Sequence, residues 1–157
     1  AQKGSIVDIN ALGVLGTHGA KLALERTLSL TKENAEARIE ALSSLLKLTR
    51  NNEYLEQLCC ALRSKSEVVR LRAAIALRNA DPCTRIFDEF WDLLKVETDS
   101  AIRSTVARGI LRHYGLISKP QDPGLEYINI IRKLVSIDKV VRDEALKIIQ
   151  SLSGSEK

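Results

Sequence analysis

The same short segment occurs four times along this chain and ends each time in an arginine. The four copies are NAEAR at 34–38, SEVVR at 66–70, DSAIR at 99–103 and DKVVR at 138–142. Each copy begins with Asn, Ser or Asp, whose side chains can accept a hydrogen bond from a free amide in the first turn of a helix. A helix start that recurs at spacings of 32, 33 and 39 residues indicates a repeated structural unit.

The residues after each arginine carry the pattern of one buried helical face. The third position is Ala or Val and the seventh is Leu or Ile, in the sets Ala41, Ala73, Val106, Ala145 and Leu45, Leu77, Ile110, Ile149. These offsets fall on one side of a helix with 3.6 residues per turn. We therefore predict that a core-facing helix, called helix B, begins at each segment.

A second amphipathic run, called helix A, precedes each helix B. The runs cover 20–30, 52–62, 82–96 and 123–135. Two of them open with Asp-Pro, at 81–82 and 122–123, which predicts an N-cap carboxylate followed by proline at the first helical position. Gly115 is predicted to cap the end of a helix. Stacked helix pairs bury a continuous core that one pair cannot bury alone.

This pattern predicts an all-α fold in one domain that covers residues 1–157. The predicted repeats are 20–49, 52–80, 82–114 and 123–152, with a partial repeat at 5–16 and a tail at 153–157. Because the chain contains no Met and does not begin with one, we interpret its start as an internal cut in a longer protein or as a processed end.

The segments ALRNADP at 76–82 and EVVR at 67–70 resemble the HEAT repeat, and in particular its phycobilisome-lyase-like subclass. ALGVLGTHGA at 11–20 and LALERTLSLTKENAEAR at 22–38 extend the resemblance to essentially the whole chain. The resemblance implies an armadillo-like, right-handed α-α superhelix of about four helix pairs and an N-terminal half repeat, with the B helices on its concave surface. It also implies that the repeat arginines pair with an acid or a carbonyl of the adjacent repeat; these are Arg38, Arg70, Arg103 and Arg142.

The exposed side of helix B in the second and third repeats is predicted to carry Arg72, Arg78, Arg108 and Arg112. Guanidinium groups there would suit carboxylates or phosphates, which arginine can bind through two hydrogen bonds. Leu71, Ile75 and Leu111 lie among them and favour a protein interface over a phosphate track. The alternatives are an ordinary solvated face with pairing inside each helix and, for the three apolar residues, the edge of the core.

No catalytic set or metal site stands out, and we predict neither enzymatic activity nor a cofactor. His18 is placed in a turn and His113 on the core side of a helix, and the spacing of Cys59, Cys60 and Cys83 matches no metal site. We interpret the cysteines as thiols in a reducing cytoplasm. No apolar run is long enough to span a bilayer, and no membrane association is predicted.

Composition leaves the partner open. The 24 basic and 20 acidic residues give a net charge of +4, which permits an acidic partner without requiring one. The leading hypothesis is a scaffold module that binds a protein through the concave helix-B surface. The alternatives are a nucleic-acid-binding protein that contacts phosphates through the same four arginines, and a non-catalytic or lyase-type subunit of an enzyme complex.

Overall fold

The structure is a computed structural model that describes residue 9 and residues 18–31 and 34–154. The described residues contain no strand, which confirms the all-α prediction. The described residues from His18 onward form eight helices: α1 (His18–Leu30), α2 (Ala35–Thr49), α3 (Asn52–Ala61), α4 (Glu67–Arg78), α5 (Thr84–Val96), α6 (Ser100–His113), α7 (Leu125–Val135) and α8 (Lys139–Gly154).

The helices form four successive pairs, and the chain divides into two compact units at Ala80 and Asp81. In the first unit α1 packs on α2 and α3 packs on α4, while α2 also contacts α3 and α4. In the second unit α5 packs on α6 and α7 packs on α8, and α6 also contacts α7. The predicted partial repeat 5–16 lies outside the described residues except for Ile9, which is helical and buried. Of the predicted tail 153–157, the first two residues belong to α8 and the others lie outside the described part.

The second helix of every pair begins at the predicted N-cap. In each case the side-chain oxygen accepts a hydrogen bond from an amide in the first turn, over 2.8–3.5 Å; the four caps are Asn34, Ser66, Asp99 and Asp138. Such a cap stabilises a helix by about 1 kcal/mol because it satisfies a donor that has no partner inside the helix. The start of these helices is therefore encoded locally, as the sequence predicts.

The two apolar positions after each repeat arginine lie in the core. All eight side chains are 0% exposed: Ala41, Ala73, Val106, Ala145, Leu45, Leu77, Ile110 and Ile149. Full burial of one leucine or isoleucine side chain contributes about 1.5–3 kcal/mol. The apolar pattern thus identified the buried face of helix B correctly in all four pairs.

The prediction that α5 starts with an Asp-Pro cap is wrong. The helix begins at Thr84, and its N-cap is Cys83, which is extended with φ −152° and ψ 130°. The backbone amide of Cys83 donates a hydrogen bond to Nδ1 of His113 at 3.1 Å. Because this bond goes to another helix and the backbone at Cys83 is extended, Pro82 cannot occupy the first helical turn.

The same prediction fails for α7, which begins at Leu125 after Gly124. Gly124 has φ 83° and ψ 153°, a conformation that is accessible essentially to glycine alone. The positive φ turns the chain after Pro123 and delays the helix by two residues. At the other end of the chain, His18 is the first residue of α1, so its predicted location in a turn is also wrong.

Gly115 ends α6 as the sequence predicts. It adopts a left-handed φ of 85°, and its amide donates to the carbonyl of Arg112 at 2.9 Å. The amide of Leu116 donates to the carbonyl of Leu111, also at 2.9 Å. These two bonds form the Schellman motif, which satisfies carbonyls that lack partners at the helix end.

Gly109 allows α5 and α6 to approach closely. A Cβ atom at this position would lie 2.2 Å from Cε2 and 2.7 Å from Cδ2 of Phe90. The Phe90 side chain is 0% exposed, and protein interiors are packed closely, so its ring is held in place by its neighbours. Glycine in the middle of a helix lowers stability by about 1 kcal/mol relative to alanine. At Gly109 the close packing of α5 on α6 outweighs this loss.

We predict that Gly109→Ala lowers the free energy of unfolding by about 1–3 kcal/mol, because the new methyl group overlaps the ring of Phe90. The measurement is urea unfolding followed by circular dichroism. The double variant Phe90→Leu/Gly109→Ala should lose less than the two single losses together, since the smaller side chain removes the overlap. A stability gain in Gly109→Ala would contradict this account.

Candidate functional site

The four repeat arginines contact the C-terminal ends of the preceding helices. Each donates hydrogen bonds to backbone carbonyls at or just after the end of the first helix in its own pair, whereas the resemblance implies a partner in the adjacent repeat. The contacts are Arg38 to Leu28, Arg70 to Ser64 and Lys65, Arg103 to Leu94 and Glu97, and Arg142 to Ser136 and Ile137. Helix ends present carbonyls without helical partners and carry a partial negative charge, so a guanidinium is well suited to them.

Arg103 makes the most extensive of these contacts. It is only 3% exposed, and besides α5 it reaches the end of α7 through the carbonyls of Val135 at 2.8 Å and Ser136 at 2.5 Å. Burial lowers the pKa of Arg103, and the nearby Arg142 lowers it further, while Glu97 acts in the opposite direction. The side chain is a cation at neutral pH, since arginine keeps its proton in proteins. Arg103 therefore holds the third pair to the fourth through backbone carbonyls.

An equivalent connection joins the two pairs of the first unit. Nη2 of Arg38 donates to Oε1 of Gln57 on α3 at 2.8 Å. Tyr54, also on α3, donates its hydroxyl to Oε1 of Glu25 on α1 at 3.2 Å. The pKa of Tyr54 is raised by burial and by this hydrogen bond to a carboxylate, so the hydroxyl keeps its proton and remains a donor.

The four predicted binding arginines are divided between the two units. In the first unit Arg72 lies 3.3 Å from Glu36 and 3.7 Å from Glu40, both on α2, and these side chains are partly exposed. Exposed ion pairs contribute about 0.2–1 kcal/mol, so these contacts cost little to exchange for those of a partner. Arg78 ends α4 and is half-buried, as are Leu71 and Ile75.

In the second unit Arg108 and Arg112 lie under the loop that follows α6. Nη1 of Arg108 donates to the carbonyl of Gln121 at 3.4 Å, and Nη1 of Arg112 donates to the carbonyl of Ser118. Among the described residues, Arg108 has no carboxylate partner, and its buried Nε has no hydrogen-bond acceptor. No pattern in the sequence indicates this loop contact.

Leu111 is not available to a partner. It is 0% exposed, because α6 is covered by α5 on one side and by α7 on another, and the buried face of α6 is correspondingly wide. The expectation that Leu111 joins the binding surface therefore fails. The alternative interpretation placed Leu111 at the edge of the core, but the side chain is buried more deeply than that.

Large aliphatic side chains are exposed at the helix ends that face the turns inside the helix pairs, and one lies in such a turn. Their exposed fractions range from 51% to 75%; they are Leu30 and Val68 in the first unit and Val96, Ile137 and Val140 in the second. Sequence analysis missed them because they lie outside the periodic stripe of the helices. An apolar residue in the last or first turn of a predicted helix, away from its buried stripe, was the signal that could have identified most of them; Ile137 alone lies in a predicted turn.

The remaining candidates are structural. His113 is 8% exposed and accepts the amide hydrogen bond from Cys83, and its ring stands edge-on to Phe90 at 5.9 Å. Trp91 is half-buried, and all three cysteines are free thiols. The described part of the chain holds no cluster of three or more His, Cys, Asp or Glu side chains suited to a metal ion. Within the same part, no helix has the length and apolar character needed to cross a membrane.

Comparisons with protein-family models, with curated proteins and with solved structures found no match for this chain.

We predict that Arg103→Met lowers the free energy of unfolding by about 3 kcal/mol or more, because carbonyls at the ends of two helices lose their buried donors. Arg103→Lys should recover only part of the loss, since one ammonium cannot reproduce the wide fork of a guanidinium. The measurement is denaturant unfolding of the full chain.

The matched control is Arg132→Met on the exposed side of α7, which removes the same charge and should change stability by no more than about 0.5 kcal/mol. If Arg103→Met were as mild as this control, the connection between the third and fourth pairs would not depend on Arg103.

Proposed function

We propose that this chain is a non-enzymatic, protein-binding scaffold module, built as a HEAT-like right-handed superhelix and located in the cytoplasm. The observation that carries the proposal is the recurrence of one helix-pair unit, closed each time by an arginine that donates to carbonyls at the end of the preceding helix. Arrays of such units have extended surfaces and bind other macromolecules along them. The free thiols of the cysteines agree with a reducing compartment.

The binding surfaces we propose are described for each unit separately. In the first unit the surface is on α4 and includes Arg72 and Arg78 with the half-buried Leu71 and Ile75; in the second unit it is on α6 and includes Arg108 and Arg112. Protein interfaces are enriched in arginine and combine it with apolar contacts. The exposed aliphatic residues at the turns offer additional apolar area in each unit.

A protein fits this surface better than a nucleic acid does. Arg72 already lies between Glu36 and Glu40, and acidic side chains beside a cation would repel a phosphate backbone. A protein partner can instead replace individual ion pairs and bury apolar surface at the same time. The experiment must therefore distinguish protein binding from nucleic-acid binding.

The test begins with affinity purification of the full chain, identification of captured proteins by mass spectrometry, and direct binding of each purified candidate. Two double variants, Arg72→Glu/Arg78→Glu and Arg108→Glu/Arg112→Glu, should each weaken binding about tenfold or more, because a charge at an interface is reversed. The control Arg26→Glu/Arg132→Glu reverses one exposed arginine in each unit and should leave the affinity nearly unchanged.

Three outcomes would contradict the proposal. The first is that no purified candidate binds directly. The second is that both double variants bind the partner as tightly as the unchanged chain does. The third is tight binding of duplex or single-stranded nucleic acid at about 50 mM salt that weakens steeply as salt is raised, which would favour the nucleic-acid alternative.

A further inference from the structure

Arg142 uses less of its guanidinium than Arg103 does. Nη1 of Arg142 donates to the carbonyls of Ser136 and Ile137 at 3.0 and 2.5 Å, and no described residue accepts a hydrogen bond from its Nε or Nη2. The side chain is 6% exposed, and these two nitrogens are not among the polar atoms that are sealed off from solvent without a partner. Arg142 therefore has donors that are unpaired within the described chain and still reachable from outside it.

Arg103 indicates what these unpaired donors are suited to bind. Its Nη1 donates to carbonyls of its own pair, as Nη1 of Arg142 does. Its Nε and Nη2 donate to the carbonyls of Val135 and Ser136 at the end of α7, which is the first helix of the following pair. The same two donors are the unpaired ones in Arg142. Since the two arginines hold equivalent positions in their repeats, the acceptor that matches Arg142 is the C-terminal end of another helix.

A helix end also has the charge and the geometry that this position requires. The last carbonyls of a helix have no donors within the helix, and together they carry a partial negative charge of about half an elementary charge. Nε–H and one Nη2–H of an arginine point in the same direction, so they can meet two neighbouring carbonyls at once. A guanidinium with this edge unpaired therefore attracts the C-terminus of a helix, whereas it repels the N-terminus.

An apolar side chain lies beside the unpaired edge. Leu146 comes four residues after Arg142 and therefore lies on the same side of α8. The residues at this position in α2 and α6 are Leu42 and Ala107, which are 2% and 0% exposed, and each of these helices contacts the first helix of the pair that follows. Leu146 is only half-buried, and no further pair follows α8 in the described part of the chain. This side of α8 therefore lacks the packing that the position has in α2 and α6.

We propose that the side of α8 formed by Arg142 and Leu146 docks the C-terminal end of an α-helix from a partner protein. Two carbonyls at the end of that helix accept hydrogen bonds from Nε and Nη2 of Arg142, and a small or aliphatic side chain of its last turns packs on Leu146. This inference rests on the proposed protein-binding function and adds a contact separate from the arginines of α4 and α6. The occupant is a helix end rather than an acidic side chain, because the equivalent donors of Arg103 bind backbone carbonyls.

The first experiment observes Arg142 directly in the full chain. The probe is a synthetic peptide with the sequence of residues 123–138, which contains the helix end that Arg103 binds. Because short isolated helices are marginally stable, a lactam bridge joins Lys133 to a glutamate introduced by Asn129→Glu. The Nε–Hε resonances of arginine are recorded by NMR during the titration. We expect the Hε resonance of Arg142 to shift and to saturate with the bridged peptide, and to stay in place with a scrambled peptide of the same composition. No response, or an equal response to both peptides, would overturn the proposal.

The second experiment compares the affinities of variants for the bridged peptide by the same titration. Leu146→Asn should weaken binding about tenfold, because it removes the apolar contact and leaves the bonds of Arg142 to its own pair in place. Arg142→Lys keeps the charge but lacks the paired edge, and it should weaken binding about threefold or more. The control Val96→Asn replaces an exposed aliphatic side chain at the end of α5 and should change the affinity less than about twofold. Circular dichroism of each variant verifies that it is folded.

The outcomes separate this surface from the proposed function. If the Hε resonance of Arg142 responds to the bridged peptide but no protein partner binds the chain, the surface stands and the scaffold function is refuted. If a purified partner binds equally well to Leu146→Asn and to Arg142→Lys, the scaffold function stands and this surface is refuted. If sedimentation shows self-association of the chain that Leu146→Asn abolishes, the occupant is a second copy, and the assignment to a partner protein is refuted.

Discussion

The fold depends on hydrogen-bond donors for the backbone carbonyls at the C-terminal end of the first helix in each pair. The last carbonyls of each such helix have no hydrogen-bond donor within the helix. Burying them without a donor would cost more free energy than one hydrophobic contact provides. The chain meets this requirement with arginine near the start of the following helix, at Arg38, Arg70, Arg103 and Arg142. The N-cap four residues earlier and the apolar position three residues later fix the helix on which the arginine sits. The N-cap, the buried apolar position and the contact from arginine to the carbonyls are therefore all encoded in one short segment, which acts as a local device.

This local device explains how much could be predicted from the sequence. The start of each second helix depends on an N-cap and on the apolar residues beside it, all within about ten residues, and it was predicted correctly. The start of α5 was not, because it depends on the amide of Cys83 reaching His113, which lies 30 residues away. The burial of Leu111 was missed for a related reason, since it depends on two helices packing on α6 from different sides.

The candidate site was the least predictable part. The sequence predicts that Arg108 and Arg112 lie on an exposed helical face. The loop whose carbonyls accept their hydrogen bonds contains no pattern that predicts the contact. Likewise, nothing in the periodicity indicates that Arg72 lies between Glu36 and Glu40. Pairings between side chains on different helices depend on the angle and offset at which those helices pack, and periodicity in one helix does not contain that information.

The short sequence separation of the arginine contacts has a consequence for the order of events in folding. Arg70 and Arg142 reach carbonyls only five and six residues back in the chain, so these contacts close small loops and lose little chain entropy. The bonds from Arg103 to Val135 and Ser136 span 32 and 33 residues and require two pairs to have met. We therefore expect the contacts within a helix pair to form before those that join two pairs, as in rapidly folding chains dominated by local contacts.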